Sequence, residues 1–267
     1  MTTIAVCTDS SSLLTGDEAV RLGVTVAPIA VTLDGEPFDE ISAGVDRFYE
    51  RFAAGALAMT APPSPGELLA RYVALADGGA GEVLSIHLDR RLSGTAASAE
   101  LAGEESPVPV TVVDVETASF GLGLCVREAV RHLEAGASAG EAGAAARELA
   151  GLVRNAFVAP TGAGGRVPSR PSWAVLELAQ GAVSVVGECA TLDEAVGVMA
   201  RMVESERPRR ASVGHAAAAV GAAADTLAGT LERDQGLVVE RYRVGAAVGA
   251  HTGGLSFGVF WWPADRT

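Results

Sequence analysis

The chain contains no lysine: all 20 of its basic residues are arginine. That absence removes Schiff-base catalysis, pyridoxal phosphate attachment and a Walker A phosphate loop, each of which needs a lysine amine. Cysteine is scarce as well. Cys7, Cys125 and Cys189 lie far apart with no CxxC pair, a pattern of reduced thiols in the cytoplasm rather than of a disulfide framework or a zinc knuckle. Positive charge is in deficit. With Lys+Arg 20 against Asp+Glu 33 and a net charge of −13, the basic stripe of a nucleic-acid-binding protein is not expected. The amino terminus shows no basic segment followed by a long apolar run, so no secretory signal is expected. Val244 to Ala264 carries no formal charge, but it holds five glycines plus His251, Thr252 and Ser256. It reads as a loop and a buried strand rather than a membrane span. The four histidines show no pair at i, i+4, so no metal site is expected.

What is present is apolar surface in quantity. Hydrophobic residues make up 49% of a 267-residue chain, enough for a sizeable core and for two domains. Short β-branched runs at Ile4–Thr8, Val24–Leu33, Val83–Leu88 and Val110–Val113 read as buried strands. Ala/Leu/Glu-rich stretches between them read as helices, several with start signals. Ser64-Pro65-Gly66-Glu67 sets a capping serine, a first-position proline and a third-position glutamate ahead of LLARYVALA. Ser138 with Glu141, and Thr191 with Glu194, repeat that spacing. Alternation of this kind requires crossover connections, hence an α/β architecture. After Arg154 a Gly/Pro-rich stretch, Ala159 to Ser172, interrupts it, and the expected division is residues 1–154 and 155–267. Phe257, Phe260, Trp261 and Trp262 read as core.

Three polar-small segments stand out. Leu84 to Ala102 runs from an apolar strand through a short polar loop into a small-residue helix beginning at or after Ser93. Ser93, Gly94 and Thr95 then present hydroxyls and amides at a helix N-terminus on the carboxyl end of a strand, where α/β sheets bind anions. Ser93 is equally a helix cap on spacing alone, and both readings stay open. In the second segment Pro62 and Pro63 hold the backbone extended after Thr60. The third, Gly249 to Gly254, places His251 in a glycine-flanked turn near a strand start. His87, within an apolar strand run, reads as a core residue with one backbone partner. Gly121-Leu122-Gly123 lacks the third glycine of a dinucleotide fingerprint. Ser93 lacks the G-x-S-x-G elbow, although His251 with Asp9 or Asp114 has the residue types of a triad.

Taken together and in order, Thr8-Asp9-Ser10, Thr60-x-x-Pro63-Ser64-Pro65-Gly66-Glu67, Leu92-Ser93-Gly94-Thr95, Gly164-Gly165-Arg166 and His251-Thr252-Gly253 resemble the DegV family of bacterial fatty-acid-binding proteins. The resemblance implies a parallel-sheet α/β/α N-terminal domain and a smaller mixed-sheet α/β C-terminal domain that enclose one fatty acid. It implies that Thr60 and Ser93 hydrogen-bond the carboxylate and that His251 lies close to it. It also implies no cofactor, no catalysis, and in some members transfer of the lipid to a fatty-acid kinase, towards which Arg166 would face. The chain departs from the family in places. Ala61-Pro62 replaces a serine and a glutamine, Ala159 to Ala163 replaces a lysine-containing turn, Gly187 to Ala190 lacks an arginine, and Gly254-Leu255 lacks a proline. Ligand binding is therefore better supported than kinase docking. Two alternatives accompany it: a serine acyl hydrolase using Ser93 and His251, and a divergent member binding another small carboxylate.

Overall fold

The computed structural model describes residues 3–160 and 172–263. In chain order the first half holds strands β1 (Ile4–Asp9), β2 (Val24–Ala27), β3 (Ala30–Leu33), β4 (Glu36–Pro37), β5 (Ala58–Ala61), β6 (Glu82–His87) and β7 (Val110–Asp114). Its helices are α1 (Gly16–Leu22), α2 (Glu40–Ala43), α3 (Val45–Ala53), α4 (Pro65–Asp77), α5 (Thr95–Glu104), α6 (Phe120–Glu134) and α7 (Ala139–Leu152). The second half holds β8 (Arg154–Pro160), β9 (Trp173–Ala179), β10 (Ala182–Cys189), β11 (Arg210–His215), β12 (Val238–Arg243) and β13 (Phe257–Trp262). Helices α8 (Leu192–Glu206), α9 (Gly221–Gln235) and α10 (Ala246–Thr252) lie among them.

Two compact units result. The first joins Met1–Ala30 with Thr60–Leu152; the second joins Val31–Met59 with Val153–Asp265. One crossing falls close to the division expected at 154/155, but residues 31–59 group with the second unit. Contacts remote in sequence account for that: Tyr49 donates to the Val244 carbonyl at 2.8 Å, and Glu40 accepts the Ala246 N–H at 2.8 Å. No local pattern announces such bonds. With residues 31–59 included and a six-stranded sheet against a four-stranded one, the second unit is not the smaller.

The first unit is a sheet in the order β2-β1-β6-β7, parallel throughout. Val6, Leu84, Ile86 and Val113 pack on Leu122, Cys125 and Val126 of α6 and Ala142 and Ala146 of α7. Cys7 and Val83 pack on Leu68 and Tyr72 of α4 and Ala99 and Ala102 of α5. Both faces are covered, which is why these strands read as continuous apolar runs. The run Val24–Leu33 forms two strands, not one. Pro28 has no N–H for a ladder, and the next amide, Ile29, turns to Ser10 Oγ at 2.9 Å.

The capping signals are realised locally. Ser64 Oγ accepts the Glu67 N–H at 3.3 Å while Glu67 Oε2 accepts the Ser64 N–H at 2.7 Å. The Ser64 N–H and O–H, both donating to Glu67 Oε2 at 2.7 Å, hold the Glu67 carboxyl below its ordinary pKa. Ser138 and Glu141 repeat the box at 3.3 and 2.8 Å. At α8 it is offset: Thr191 Oγ1 accepts the Glu194 N–H, and Glu194 reaches back to the Ala190 N–H.

The second unit has the sheet order β10-β9-β8-β13-β11-β12, antiparallel except for β11 with β12. One face packs Val158, Val213, Phe257, Val259 and Trp261 on Met199 and Val203 of α8 and Leu227 and Leu231 of α9. Phe257, Phe260, Trp261 and Trp262 are all buried, as expected of core aromatics. The uncharged run from Val244 contains helix α10 and strand β13, where a loop and a strand were expected. Among the described residues no helix is long and apolar enough to cross a membrane.

Candidate functional site

Strand order places a topological switch point in the first unit. After β1 the chain crosses through α1 to β2, on one side; after β6 it crosses through α5 to β7, on the other. β1 and β6 are neighbours, so the loops leaving their carboxyl ends diverge, and that switch point is where open α/β sheets take ligands. The turn after β1 is Ser10–Ser12; the loop after β6 leads to Leu92-Ser93-Gly94-Thr95.

Ser93 is not the helix cap. Gly94 occupies the N-cap position of α5, with no side-chain cap bond. Ser93 Oγ accepts the Thr95 N–H at 3.3 Å and is hydrogen-bonded to Thr95 Oγ1 at 2.8 Å. The first bond of the helix itself runs from the Ser98 N–H to the Gly94 carbonyl at 3.0 Å, so the amides of Gly94, Ala96 and Ala97 precede the helical ladder. Gly94 has φ −74°, an ordinary value for any residue. A Cβ there would lie 3.6 Å from Pro62 Cγ, an ordinary contact. The proline after Thr60 therefore adjoins the Ser93 turn, and two of the predicted segments meet. Thr60 itself is half-buried on β5.

The arginines beside this turn are already committed. Arg91 grips the buried Asp89 carboxylate with Nε to Oδ1 and Nη2 to Oδ2, both at 2.8 Å, and reaches Glu116 at 3.2 Å. Arg90 is held by Asp114 at 2.9 Å and Glu100 at 2.7 Å. An anion at the Ser93 turn meets hydroxyls and amides rather than these guanidinium groups.

His251 lies in the last turn of α10 in the second unit, and is exposed. The expected turn is a helix because Ala246–Ala250 is rich in alanine; it stops at Gly253, which has φ +85° and donates to the Gly249 carbonyl at 2.9 Å. Arg166, with Gly164 and Gly165, lies outside the described residues. A depression of about 420 Å³ in the second unit is lined by Phe38, Asp39, Arg47 and Arg51 among others, and by none of Thr60, Ser93, Gly94, Thr95 or His251.

His87 lies in the core, as its apolar run predicts, but its ring meets two side chains where one backbone partner is expected. Its ring lies between Ser85 Oγ, 2.7 Å from Nε2, and Asp9 Oδ2, 3.0 Å from Nδ1. Ser85 Oγ is in turn 2.8 Å from Tyr72 OH. The available signal was spacing: residues 85 and 87 share a face of a strand, opposite the strand that ends in Thr8-Asp9-Ser10. Both carboxylates considered for a Ser93 triad are thus engaged elsewhere, Asp9 by His87 and Asp114 by Arg90. The three cysteines are free and buried, and burial pushes the Cys7 thiol up to about 12. No group of His, Cys, Asp or Glu among the described residues is arranged to hold a metal ion.

Comparison with known proteins agrees with the fold and the motifs. The family profile described as DegV, an uncharacterised protein family, matches residues 3–161. A DegV domain-containing protein of Streptomyces coelicolor is 31% identical over 96% of this chain and 97% of its own length. One from Deinococcus radiodurans is 42% identical, over 51% of this chain and only 48% of its own. Among solved structures, a DegV family protein of Thermus thermophilus described by its fatty acid binding is 29% identical, with a TM-score of 0.85 over 98% of this chain and 99% of that one. A DegV lipid-binding protein of Thermotoga maritima, 23% identical over 99% and 100% of the two chains, shares the fold with a TM-score of 0.86. A profile matched over more than half the chain and a relative aligned almost end to end establish that the chain belongs to the DegV family.

Proposed function

We propose that the protein binds one long-chain fatty acid, such as palmitate, with the carboxylate held at the Ser93 turn, and acts as a non-catalytic lipid carrier in the cytoplasm. The observation that carries this is the turn itself: a serine–glycine–threonine helix start at the β1/β6 switch point, with the Thr60 segment packed against it through Pro62 and Gly94. Two hydroxyls that share one hydrogen bond leave one proton to give. Thr95 is fully buried and Ser93 half-exposed, so the Thr95 O–H donates to Ser93 and the Ser93 proton is free for an anion. Thr60 supplies a second hydroxyl and Gly94 an amide.

The tail supplies the drive. At ~0.8 kcal/mol per buried CH₂, about fourteen methylenes give roughly 11 kcal/mol gross, from which association and ordering costs are deducted. The neutral donors offset the several kcal/mol lost when the carboxylate leaves water. Leu92, next in sequence to Ser93, is left exposed at 42% and is apolar surface for a chain to cover. His251 is assigned to the same head group, and Arg166 to a kinase partner, on the resemblance of their motifs.

Titration of palmitate into delipidated protein tests the reading. Ser93→Ala and Thr60→Ala are each expected to weaken binding by about tenfold without unfolding, the size of one hydrogen bond to a charged group. A wild-type protein that takes up no palmitate, or unchanged affinity in both variants, contradicts it. Ester turnover together with covalent labelling of Ser93 by a serine probe would support the hydrolase instead.

A further inference from the structure

Asp9, Ser85 and His87 are fully buried, yet they form a connected polar chain with Tyr72 rather than an apolar core. One direction of donation gives every member a partner. Asp9 accepts the Ser11 N–H at 3.0 Å, the Ser11 O–H at 2.5 Å and the Leu88 N–H at 3.3 Å, so as a carboxylate it also accepts from His87 Nδ1 at 3.0 Å. With the proton on Nδ1, Nε2 of a neutral ring is an acceptor, which Ser85 O–H fills at 2.7 Å; Tyr72 O–H then donates to Ser85 at 2.8 Å. Every member has its partner. A core needing stability alone is served as well by apolar side chains of the same volume.

The chain ends at the switch point. Asp9 closes β1, His87 closes β6, and Leu88, whose amide is also bound to Asp9, leads into Asp89. The Asp89 carbonyl accepts the N–H groups of Leu92 and Ser93 at 2.9 and 3.2 Å. From the Asp9 carboxylate to the Ser93 backbone the path is therefore two residues and one more hydrogen bond.

We propose that Asp9 and His87 are positioning residues for the ligand's carboxylate: their hydrogen bond ties the exits of β1 and β6 together and so sets where the Ser93–Thr95 turn stands. This rests on reading that turn as the head-group site. Ser85 and Tyr72 fix the ring that makes the tie. The ligand touches none of the four. Loosening the tie lets the turn drift, which costs head-group recognition and leaves tail burial unchanged.

Three variants separate this from a merely structural role. His87→Asn keeps an amide N–H near the Nδ1 position, His87→Gln moves it towards Nε2, and Asp9→Asn removes the charge and turns one of the two accepting oxygens into a donor, so that the Ser11 side and the His87 side are no longer both accepted. The readout is the ratio of palmitate to 1-hexadecanol affinity, which a loss of general stability does not move. The ratio is expected to fall about tenfold in Asp9→Asn and His87→Gln, and to recover to within about threefold of wild type in His87→Asn. Equal losses for both ligands in all three variants overturn the proposal. If the wild-type protein takes up neither ligand, the fatty-acid reading fails on its own, and the tie is judged by amide exchange at Leu92–Thr95. Exchange quickened in His87→Gln but not in His87→Asn supports it; unchanged exchange in both overturns it. A measurement on unaltered protein stands beside these: nitrogen-labelled NMR is expected to show His87 protonated on Nδ1 with a slowly exchanging proton, and an Nε2-protonated ring overturns the proposal.

Discussion

At the scale of single residues, the molecule separates groups that hold shape from groups left to act. Gly94 is proposed for the second kind. Its φ of −74° imposes no need for glycine, and an added Cβ meets Pro62 Cγ at 3.6 Å, an ordinary contact. Gly94→Ala is accordingly expected to unfold within about 0.5 kcal/mol of wild type, and to weaken palmitate binding if the ligand approaches this backbone as closely as proposed. Thermal unfolding and ligand titration on one preparation check both halves; strong destabilisation with unchanged affinity would reverse the assignment. Glu128 belongs with the first kind. Its buried carboxylate accepts from Arg131 Nη2 at 2.7 Å and Nε at 3.0 Å, with His132 Nε2 3.3 Å away, and the Arg131 bonds hold its pKa below the ordinary 4.5. A carboxyl lowered on folding stabilises fully above its ordinary pKa and loses that contribution as pH falls through the lowered value. Glu128→Gln is expected to cost about 1–2 kcal/mol at neutral pH, limited by the half-exposed Arg131, with the gap closing below about pH 4.5. Unfolding curves across that range decide it; a gap constant with pH would show that the charge contributes nothing.

At the scale of elements, local rules were readable and long-range ones were not. The starts of α4 and α7 follow from Ser64 with Glu67 and from Ser138 with Glu141, because each box closes within one turn. The helix at Ala246–Thr252 was hidden by its glycines, and the break at Pro28 by the β-branched residues on either side of it. Gly123 shows the same limit. In the sequence it is a fragment of a failed dinucleotide fingerprint; in the fold it lets α6 close on the turn after β1, where an added Cβ would lie 2.5 Å from the Ser12 carbonyl oxygen. That oxygen belongs to the backbone of the turn that carries Asp9 and Ser11, so it cannot swing aside. Gly123→Ala is expected to destabilise by about 1–3 kcal/mol, read from denaturant midpoints, and an unchanged midpoint would mean that α6 and the turn slide apart freely.

At the scale of the whole molecule, much of the candidate site was legible because Thr60, Pro62, Ser93, Gly94 and Thr95 sit on short motifs beside a strand end and two helix starts. The tie beneath it was not, since Asp9 and His87 are 78 residues apart and meet only through the pairing of β1 with β6. The grouping of residues 31–59 with the second unit escaped for the same reason, through bonds that span as many as 206 positions. The fold and the family need no ligand to be recognised, whereas the carrier role does. The most direct test is native mass spectrometry of the protein purified from bacteria without delipidation. The account predicts a bound species, with the mass of a long-chain fatty acid, that is depleted in Ser93→Ala. Protein that is reproducibly empty, and remains so after incubation with palmitate, would contradict it.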